Sequence, residues 1–463
     1  VSIDLLHKKY KVLVIGLGFR SGLNAANFLA AEEHEVHVSD TKSAAELSEL
    51  ASKLDSEIVL HAGNQEVSLL DHGFDLIVLS PGVPARIPLV QESLKRGIPV
   101  ISEIELAFRY MKGMTIGITG TDGKSTTTAL THHILKELGN DSRMGGNIGI
   151  PLITLAGETT EKSVTVIELS SYQLETIEMF RPDAAAMLNL TPDHLDRYDS
   201  LDSYFAAKMR IAMNQTKKDF FIYNADDERV AGSSGARSVK ASIKGFSLKN
   251  KTDAYYENGA VYLRVNGKEE HVLHESELSI MGIHNVQNVM TSLLLAQSIY
   301  EKRGEEFPLR QAADAAKSFK GLPHRMERLG EFKGRFFIND SKATTVGAVE
   351  MALRSIKGNS VFIVGGRAKG DDYSRLASAM KGRVRGVILI GETSGDFSKI
   401  FEGFRKETAS DMNDAVKRAF AMSEPGDTVI LSPACASFDM FKSFEHRGDV
   451  FREDVHRLMK GTD

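Results

Sequence analysis

The stretch Ile116-Gly-Ile-Thr-Gly-Thr-Asp-Gly-Lys-Ser-Thr-Thr-Thr128 decides how this 463-residue chain is read. A short β-rich run at 115–119 feeds a glycine loop, Lys124 and Ser125 follow, and a helical pattern continues through Leu138. This order suits a phosphate-binding loop. Small residues let backbone N–H groups turn toward an anion, and the helix N-terminus adds partial positive charge. Lys124 is then placed to reach the β- and γ-phosphates of a nucleotide, and the Ser125 hydroxyl to meet a magnesium ion. The usual pattern has a glycine five positions before Gly123, where this chain has Ile118, so the loop is a shortened Gly120-Thr-Asp-Gly-Lys-Ser125. A glycine-rich turn with an incidental lysine is the plain alternative. Strand, glycines, Lys-Ser and helix occurring in that order favour the phosphate loop.

At about 150 residues per domain, the length suggests roughly three domains. Hydrophobic residues make up 42% and charged residues 26%, the balance of a globular chain with sizeable cores. The net charge of −5 argues against a nucleic-acid surface. A single cysteine, Cys435, excludes an intrachain disulfide and fits a reducing compartment. No apolar run approaches the roughly 18–20 residues that span a bilayer. The opening Val-Ser-Ile-Asp shows no basic stretch before an apolar one, so no secretory signal is expected. The expected location is cytoplasmic, with neither nucleic acid nor membrane as a partner.

Upstream of the loop, 11–15 reads as an apolar strand, and Gly16-Leu-Gly-Phe-Arg-Ser-Gly22 opens a helical stretch at 23–31. A second strand at 35–38 ends on Ser39-Asp40. This βαβ opening suits dinucleotide binders, which carry an acid about 20 positions beyond the glycines. Its Gly-x-Gly-x-x-x-Gly spacing is one residue too long, which leaves NAD, another nucleotide or a structural turn open. A strand at 75–79 runs into Ser80-Pro-Gly-Val-Pro84, a short strand at 99–101 and a helix at 103–111 follow, and the first boundary falls before the phosphate loop.

Downstream, Gly145-Gly-Asn-Ile-Gly-Ile-Pro151 reads as a turn-rich loop, and a strand at 164–169 ends in Glu168-Leu-Ser-Ser-Tyr-Gln173. An acid at the tip of a buried strand is costly unless paired or bound to a cation, and here it suits Mg²⁺. A strand at 184–188 precedes Asn189-Leu-Thr-Pro-Asp-His-Leu-Asp-Arg197, in which His194 sits between Asp193 and Asp196. A solitary histidine is often a surface or capping group. Its place beyond a strand's carboxyl end, in the phosphate-loop domain, gives a functional role equal weight. A helical stretch at 204–211 carries Lys208, the pairs Asn258-Gly259 and Asn266-Gly267 signal tight hairpins, and a helix is expected at 285–300. The second boundary falls near Lys320-Gly-Leu-Pro-His-Arg325. Strands at 336–339, 360–364, 386–390 and 428–431 then each run into a polar or glycine loop, the ends at which doubly wound sheets collect ligands. The expected fold is three consecutive α/β domains. A Rossmann-like domain spans 1–112, a central P-loop NTPase-like domain with antiparallel hairpins spans 113–322, and a second Rossmann-like domain spans 323–463.

A phosphate loop with Mg²⁺ candidates indicates NTP binding, and cations of the third domain (Arg325, Lys342, Lys369) can neutralise a phosphoryl group or hold a carboxylate. Three classes remain on this chemistry: an ATP-driven ligase, a small-molecule kinase and a mechanical NTPase. A mechanical NTPase needs no second small-molecule pocket and a kinase needs one. A ligase needs two, which three domains supply.

In order along the chain stand Thr119-Gly-Thr-Asp-Gly-Lys-Ser-Thr-Thr127, Gly145-Gly-Asn-Ile-Gly149, Glu168-Leu-Ser-Ser-Tyr-Gln-Leu-Glu175 and Asn189-Leu-Thr-Pro-Asp-His-Leu-Asp-Arg197. With these motifs the chain resembles, over essentially its whole length, the ATP-dependent Mur ligases of peptidoglycan synthesis. Gly321-Leu-Pro-His-Arg-Met-Glu327, Asn339-Asp-Ser-Lys-Ala-Thr344, Leu431-Ser-Pro-Ala-Cys-Ala-Ser-Phe-Asp439 and Phe441-Lys-Ser-Phe-Glu-His-Arg-Gly448 are similar to the D-glutamate-adding members. The resemblance implies that ATP phosphorylates the free carboxylate of UDP-N-acetylmuramoyl-L-alanine. D-glutamate's amine would attack the acyl phosphate, and a tetrahedral intermediate would collapse to the amide.

It also implies roles. Gly120, Thr121, Asp122, Gly123, Lys124, Ser125 and Thr126 would cradle ATP, with Asn288, Arg325 and Asp340 as further ATP contacts. Lys124 would hold the transferring phosphate. Ser125 and Glu168 would share one Mg²⁺, and His194 and Lys208 would serve a second, Lys208 as a carbamate. Lys124, His194 and Lys208 would be the catalytic set. Gly18, Phe19, Arg20, Asp40, Thr41, Ser80 and Asn147 would hold the UDP-sugar, which displaces the NAD reading. Lys342, Thr344, Lys369, Ser437 and Phe444 would form the D-glutamate pocket, and the protein would act as a monomer.

Two departures stand out. Asp122 replaces the asparagine common in these loops, and Phe19-Arg20-Ser21 stands where small or hydroxylic residues are expected. The rival readings are a sister ligase using another amino acid, a folylpolyglutamate synthetase and a non-catalytic nucleotide-binding scaffold. The N-terminal βαβ unit disfavours the folate enzyme.

Overall fold

A computed structural model describes residues 3–19, 21–192, 197–232, 235–280, 282–356 and 358–461. They form two units, one of Val1–Leu278 with Ile283–Phe319 and the other of Ser279–Gly282 with Lys320–Asp463. Three sheets are distributed over them.

The first unit contains two sheets. The first has β1 (Lys11–Ile15), β2 (Glu35–Asp40), β3 (Val59–Ala62), β4 (Leu76–Leu79) and β5 (Val100–Ser102) in the order β3-β2-β1-β4-β5, all parallel. The runs Val-Leu-Val-Ile and Leu-Ile-Val-Leu of β1 and β4 are buried on both faces, as the middle of a parallel sheet requires.

The second sheet is built from β6 (Met114–Thr119), β7 (Asp141–Gly146), β8 (Ser163–Glu168), β9 (Ala184–Met187), β10 (Phe220–Asn224), β11 (Ser242–Ser247), β12 (Ala254–Glu257), β13 (Ala260–Val265) and β14 (Lys268–His274). Their order is β14-β13-β12-β11-β10-β9-β6-β8-β7, with β13 antiparallel to both its neighbours, β12 and β14, and the other pairings parallel. Asn258, Gly259, Asn266 and Gly267 all have φ between 50° and 83°, the left-handed pair that a two-residue hairpin turn demands.

A continuous core joins the two sheets, running from Val12 and Val14 through Ile104 and Leu106 to Ile167 and Phe180. Two carboxylates on the helix Glu103–Tyr110 fasten it. Glu105 is fully buried, accepts the backbone N–H groups of Glu178, Met179 and Phe180 and pairs with Arg109, while Glu103 accepts the N–H of Ile153. The division expected at 112 lies between the segments of these two sheets, after the helix Glu103–Tyr110 and before β6.

The second unit carries β15 (Glu327–Phe332), β16 (Arg335–Asn339), β17 (Ser360–Gly365), β18 (Gly386–Ile390), β19 (Lys406–Thr408) and β20 (Thr428–Leu431) in the order β15-β16-β20-β17-β18-β19. Only β15 is antiparallel. Alternation along β17 sends Val361 and Ile363 into one core and Phe362 and Val364 into the other.

Three local expectations shift. The helix carrying Lys208 is Leu201–Met209, started by a Ser200–Ser203 capping box, and a 3-10 turn Arg210–Ala212 replaces its last stretch. Gly145 and Gly146 end strand β7 instead of opening a loop, and β3 and β19 are edge strands that the sequence pattern did not mark. The long helix is Ile283–Arg303, enclosing the expected 285–300. Among the described residues, no helix is long and apolar enough to cross a membrane.

A histidine cluster ties β2 to β3. His37 Nδ1 and His61 Nε2 are 2.8 Å apart, so one ring donates its N–H to the other, and His72 lies with its ring centre 5.5 Å from that of His61. Glu35 faces His37, and Lys11 pairs with Glu35. Burial holds both His37 and His61 below the usual histidine range. Their contribution to stability is therefore present above the unfolded value, about 6.5, and is lost as pH falls through the depressed folded values. Between neutral pH and pH 5 the melting temperature should drop. A His37→Asn/His61→Asn variant should show a flatter curve, and an unchanged slope would remove the cluster from the account.

Candidate functional site

Strand β6 is buried along its length and delivers the chain to Gly120, where φ is 149°, and Gly123, where φ is 81°. Side chains are excluded at both positions. A Cβ at Gly120 would lie 2.9 Å from Leu188 Cβ, and one at Gly123 would lie 2.7 Å from Asn288 Oδ1. The helix Lys124–Glu137 follows at once. Asn189, just past β9, braces the loop: its Oδ1 accepts the N–H groups of Thr121 and Asp122, and its Nδ2 donates to the Asp122 carbonyl. Asp122 itself is exposed on the loop. The Lys124 ammonium donates to the carbonyls of Thr121 (2.7 Å) and Gly120 (3.1 Å).

Beside this loop, Glu168 ends β8 and is 2% exposed. Its Oε1 accepts from Asn147 Nδ2 at 2.7 Å, whereas Oε2 is buried and accepts no hydrogen bond from the described residues. Ser125 is buried and Thr126 half-buried on the first helical turn. A carboxylate oxygen left without a donor among the described residues, at the end of the strand that pairs with β6 where β6 enters the phosphate cradle, fits a hard divalent cation that takes its other ligands from phosphate and water. Among the described residues, no group of three or more His, Cys, Asp or Glu gathers as a metal site.

Lys208 is 1% exposed, stands 4.5 Å over the Tyr204 ring and donates to the Gly120 carbonyl at 2.7 Å. Asn288, buried under the loop, accepts from Thr127 and donates to Asn285, so it supports the loop from behind. His194, like Asp193 and Asp196, lies outside the described residues, as does Arg20.

In the first sheet the candidate residues collect at the carboxyl ends of β1, β2 and β4. Asp40 accepts the N–H groups of Leu17 and Lys42, and Ser80 donates to the Gly16 carbonyl at 2.6 Å. The fit is close: a Cβ on Gly22 would lie 1.9 Å from that carbonyl oxygen. Gly18, Phe19 and Thr41 are exposed around this turn, with Lys53 4.6 Å over the Phe19 ring.

The second unit groups its candidates at the ends of β16, β17 and β20. Asp340 accepts from Ser432 and from the N–H of Met326, and burial pushes its carboxyl up to about 7 despite Arg325 nearby. Lys369 donates to Thr344 at 2.8 Å, and Lys342 sits 5.1 Å over the Phe444 ring. Ser437 is buried in the neighbouring loop. Arg447, unassigned from sequence, is 1% exposed and donates to the carbonyls of Ser341, Cys435 and Ala436. It stitches the 341 and 435 loops together, and burial pushes it down to about 10. An arginine on the buried face of the amphipathic helix Phe444–Lys460 was the available signal. Asn189 could likewise have been found from its place at a strand's carboxyl end.

A glycine loop between a buried strand and a helix, closing on a buried carboxylate, is what a phosphate-loop nucleotide-binding protein is built around. Three family models match this chain. They are the Mur ligase MurD-like N-terminal domain at 10–102, the Mur ligase middle domain at 118–296 and the Mur ligase glutamate ligase domain at 324–435. The chain belongs to the Mur ligase family. A relative from Koribacter versatilis, named UDP-N-acetylmuramoylalanine–D-glutamate ligase, is 40% identical over 97% of this chain and 97% of its own. One of the same name from Geobacillus kaustophilus is 38% identical over 97% and 98%. The fold is also that of a UDP-N-acetylmuramate–alanine ligase from Thermotoga maritima, with TM-score 0.57 and 20% identity over 98% of this chain and 100% of that one.

Proposed function

We propose that this protein is an ATP-dependent ligase that joins D-glutamate to UDP-N-acetylmuramoyl-L-alanine, releasing ADP and phosphate. The observation that carries this reading is the identity of about 40% over nearly whole chains to relatives bearing that name. The geometry supports it. Backbone N–H groups of 120–125 and Lys124 take the phosphates of ATP, so that the γ-phosphoryl group meets the free carboxylate and converts it to an acyl phosphate with a good leaving group. The amine of D-glutamate then attacks the activated carbonyl, and the tetrahedral intermediate expels phosphate.

Arg325 and Asp340 are assigned to ATP, with Asn288 bracing its loop. Gly18, Phe19, Asp40, Thr41, Ser80 and Asn147 are assigned to the UDP-sugar, and Lys342, Thr344, Lys369, Ser437 and Phe444 to D-glutamate. Paired lysines and hydroxyls suit an amino acid with two carboxylates. Glu168 and Ser125 would hold one Mg²⁺, and Lys208, with His194, a second. When bound, Mg²⁺ neutralises charge on the phosphates. A carbamate on Lys208 would turn that cation into an anionic ligand. The protein is read as a cytoplasmic monomer.

Phosphate release should be measured with ATP, Mg²⁺ and UDP-N-acetylmuramoyl-L-alanine, comparing D-glutamate, L-glutamate, L-alanine and diaminopimelate. Turnover with D-glutamate alone is expected. Turnover with a different amine would keep the ligase and reassign the second unit, and none at all would leave a nucleotide-binding scaffold.

A further inference from the structure

We propose that Arg197 is a positioning residue for the UDP-sugar. With Glu175 and Tyr198 it clamps the Ser80-Pro81 turn of the first sheet onto the phosphate-loop side of the second. The inference rests on the assignment of that turn to the UDP-sugar.

The guanidinium is used on several sides. Nη2 donates to Glu175 Oε2 at 2.7 Å, Nη1 donates to the Pro81 carbonyl at 3.2 Å, and the group lies 3.9 Å over the Tyr172 ring. The carbonyl of Arg197 accepts from Arg86 at 3.1 Å, so side chain and backbone both tie to the segment after β4. The second Glu175 oxygen accepts from the Tyr198 hydroxyl at 2.6 Å.

Aromatic packing keeps this assembly stiff. The Tyr172 and Tyr198 rings stack 6.0 Å apart, Tyr198 lies 5.3 Å from Tyr204, and Tyr204 carries Lys208, which holds the Gly120 carbonyl of the phosphate loop. An unbroken set of contacts therefore runs from the Pro81 carbonyl to Gly120.

The arrangement calls for arginine. Only a planar fork can stack on Tyr172 while sending separate N–H groups to a carboxylate and to a carbonyl, and lysine offers a point charge without the stack. The Arg197–Glu175 pair is largely screened from water, with side-chain exposures of 12% and 19%, so its directional bonds retain their strength. Ser80 next to Pro81 also closes the glycine turn through Gly16, and the height of the turn therefore follows the Pro81 carbonyl.

The test is calorimetric titration of the full chain and of the Arg197→Lys and Tyr198→Phe variants, with UDP-N-acetylmuramoyl-L-alanine and, separately, with Mg-ADP. Arg197→Lys should weaken the UDP-sugar roughly tenfold or more and Mg-ADP less than about threefold, since the oriented bond to the Pro81 carbonyl is lost while Asn189 and Lys208 still hold the phosphate loop. In turnover, KM for the UDP-sugar should rise while KM for ATP holds. Tyr198→Phe keeps its ring and should show a smaller loss in the same direction. Wild-type affinity for the UDP-sugar in Arg197→Lys would overturn the proposal. So would equal losses for both ligands together with a lowered melting temperature, which would mark plain structural support. A wild-type chain that binds Mg-ADP but no UDP-sugar would refute the underlying assignment itself.

Discussion

Lys124→Ala should cut substrate-dependent phosphate release by about a thousandfold, the usual cost of removing a preorganised charge from a developing phosphoryl anion. The ammonium is already confined to the loop by the carbonyls of Thr121 and Gly120, so little reorganisation remains when the phosphates arrive. Alanine forfeits that stabilisation in the transition state but leaves the loop built. Asn189 still holds Thr121 and Asp122, and Lys208 still holds the Gly120 carbonyl. Nucleotide affinity should therefore fall much less than turnover, because the backbone N–H groups and the helix N-terminus remain. The melting temperature should stay within a few degrees of wild type. Phosphate release above a tenth of the wild-type rate would remove Lys124 from its role, and a collapsed melting temperature would show that alanine had broken the loop itself.

The parts of the molecule that were legible in sequence are those governed by neighbours along the chain. The phosphate loop, the Asn-Gly hairpins and the apolar strands β1, β18 and β20 depend on local glycine freedom or on unbroken apolar runs, and their bounds agree with the reading. Strand β7, Asp-Ser-Arg-Met-Gly-Gly, has neither alternation nor an apolar run. It is a strand because β8 offers it an edge.

The core shared by the first two sheets was illegible for a related reason. Glu103 and Glu105 are buried because they accept the N–H groups of Ile153 and of 178–180, far along the chain, and no local pattern announces those partners. In the candidate site the same division holds. Lys124, Ser125 and Glu168 are marked by strand and loop position, whereas Arg197 and Arg447 donate to carbonyls 116 and 106 residues distant, those of Pro81 and Ser341, which no spacing rule connects.

Glu168→Gln should separate stability from activity. The wild-type carboxylate is buried, Asn147 satisfies one of its oxygens, and the other meets no donor among the described residues. Burying a charge with half its acceptor capacity unused is costly, and an amide of the same shape costs less. Glutamine can still accept from Asn147 through its carbonyl oxygen. The metal-free variant should thus melt no lower than wild type and gain up to a few degrees. Activity should move the other way. An amide contributes no negative charge to a hard divalent cation, so half-saturation by Mg²⁺ should shift to higher concentration and kcat should fall by roughly a hundredfold or more. The two readouts draw on one feature, a buried carboxylate oxygen that meets no donor among the described residues. A Glu168→Gln variant that melts well below wild type would mean that the carboxylate is a structural acceptor. Unchanged Mg²⁺ dependence would mean that the ion, if it binds, takes its protein oxygen elsewhere.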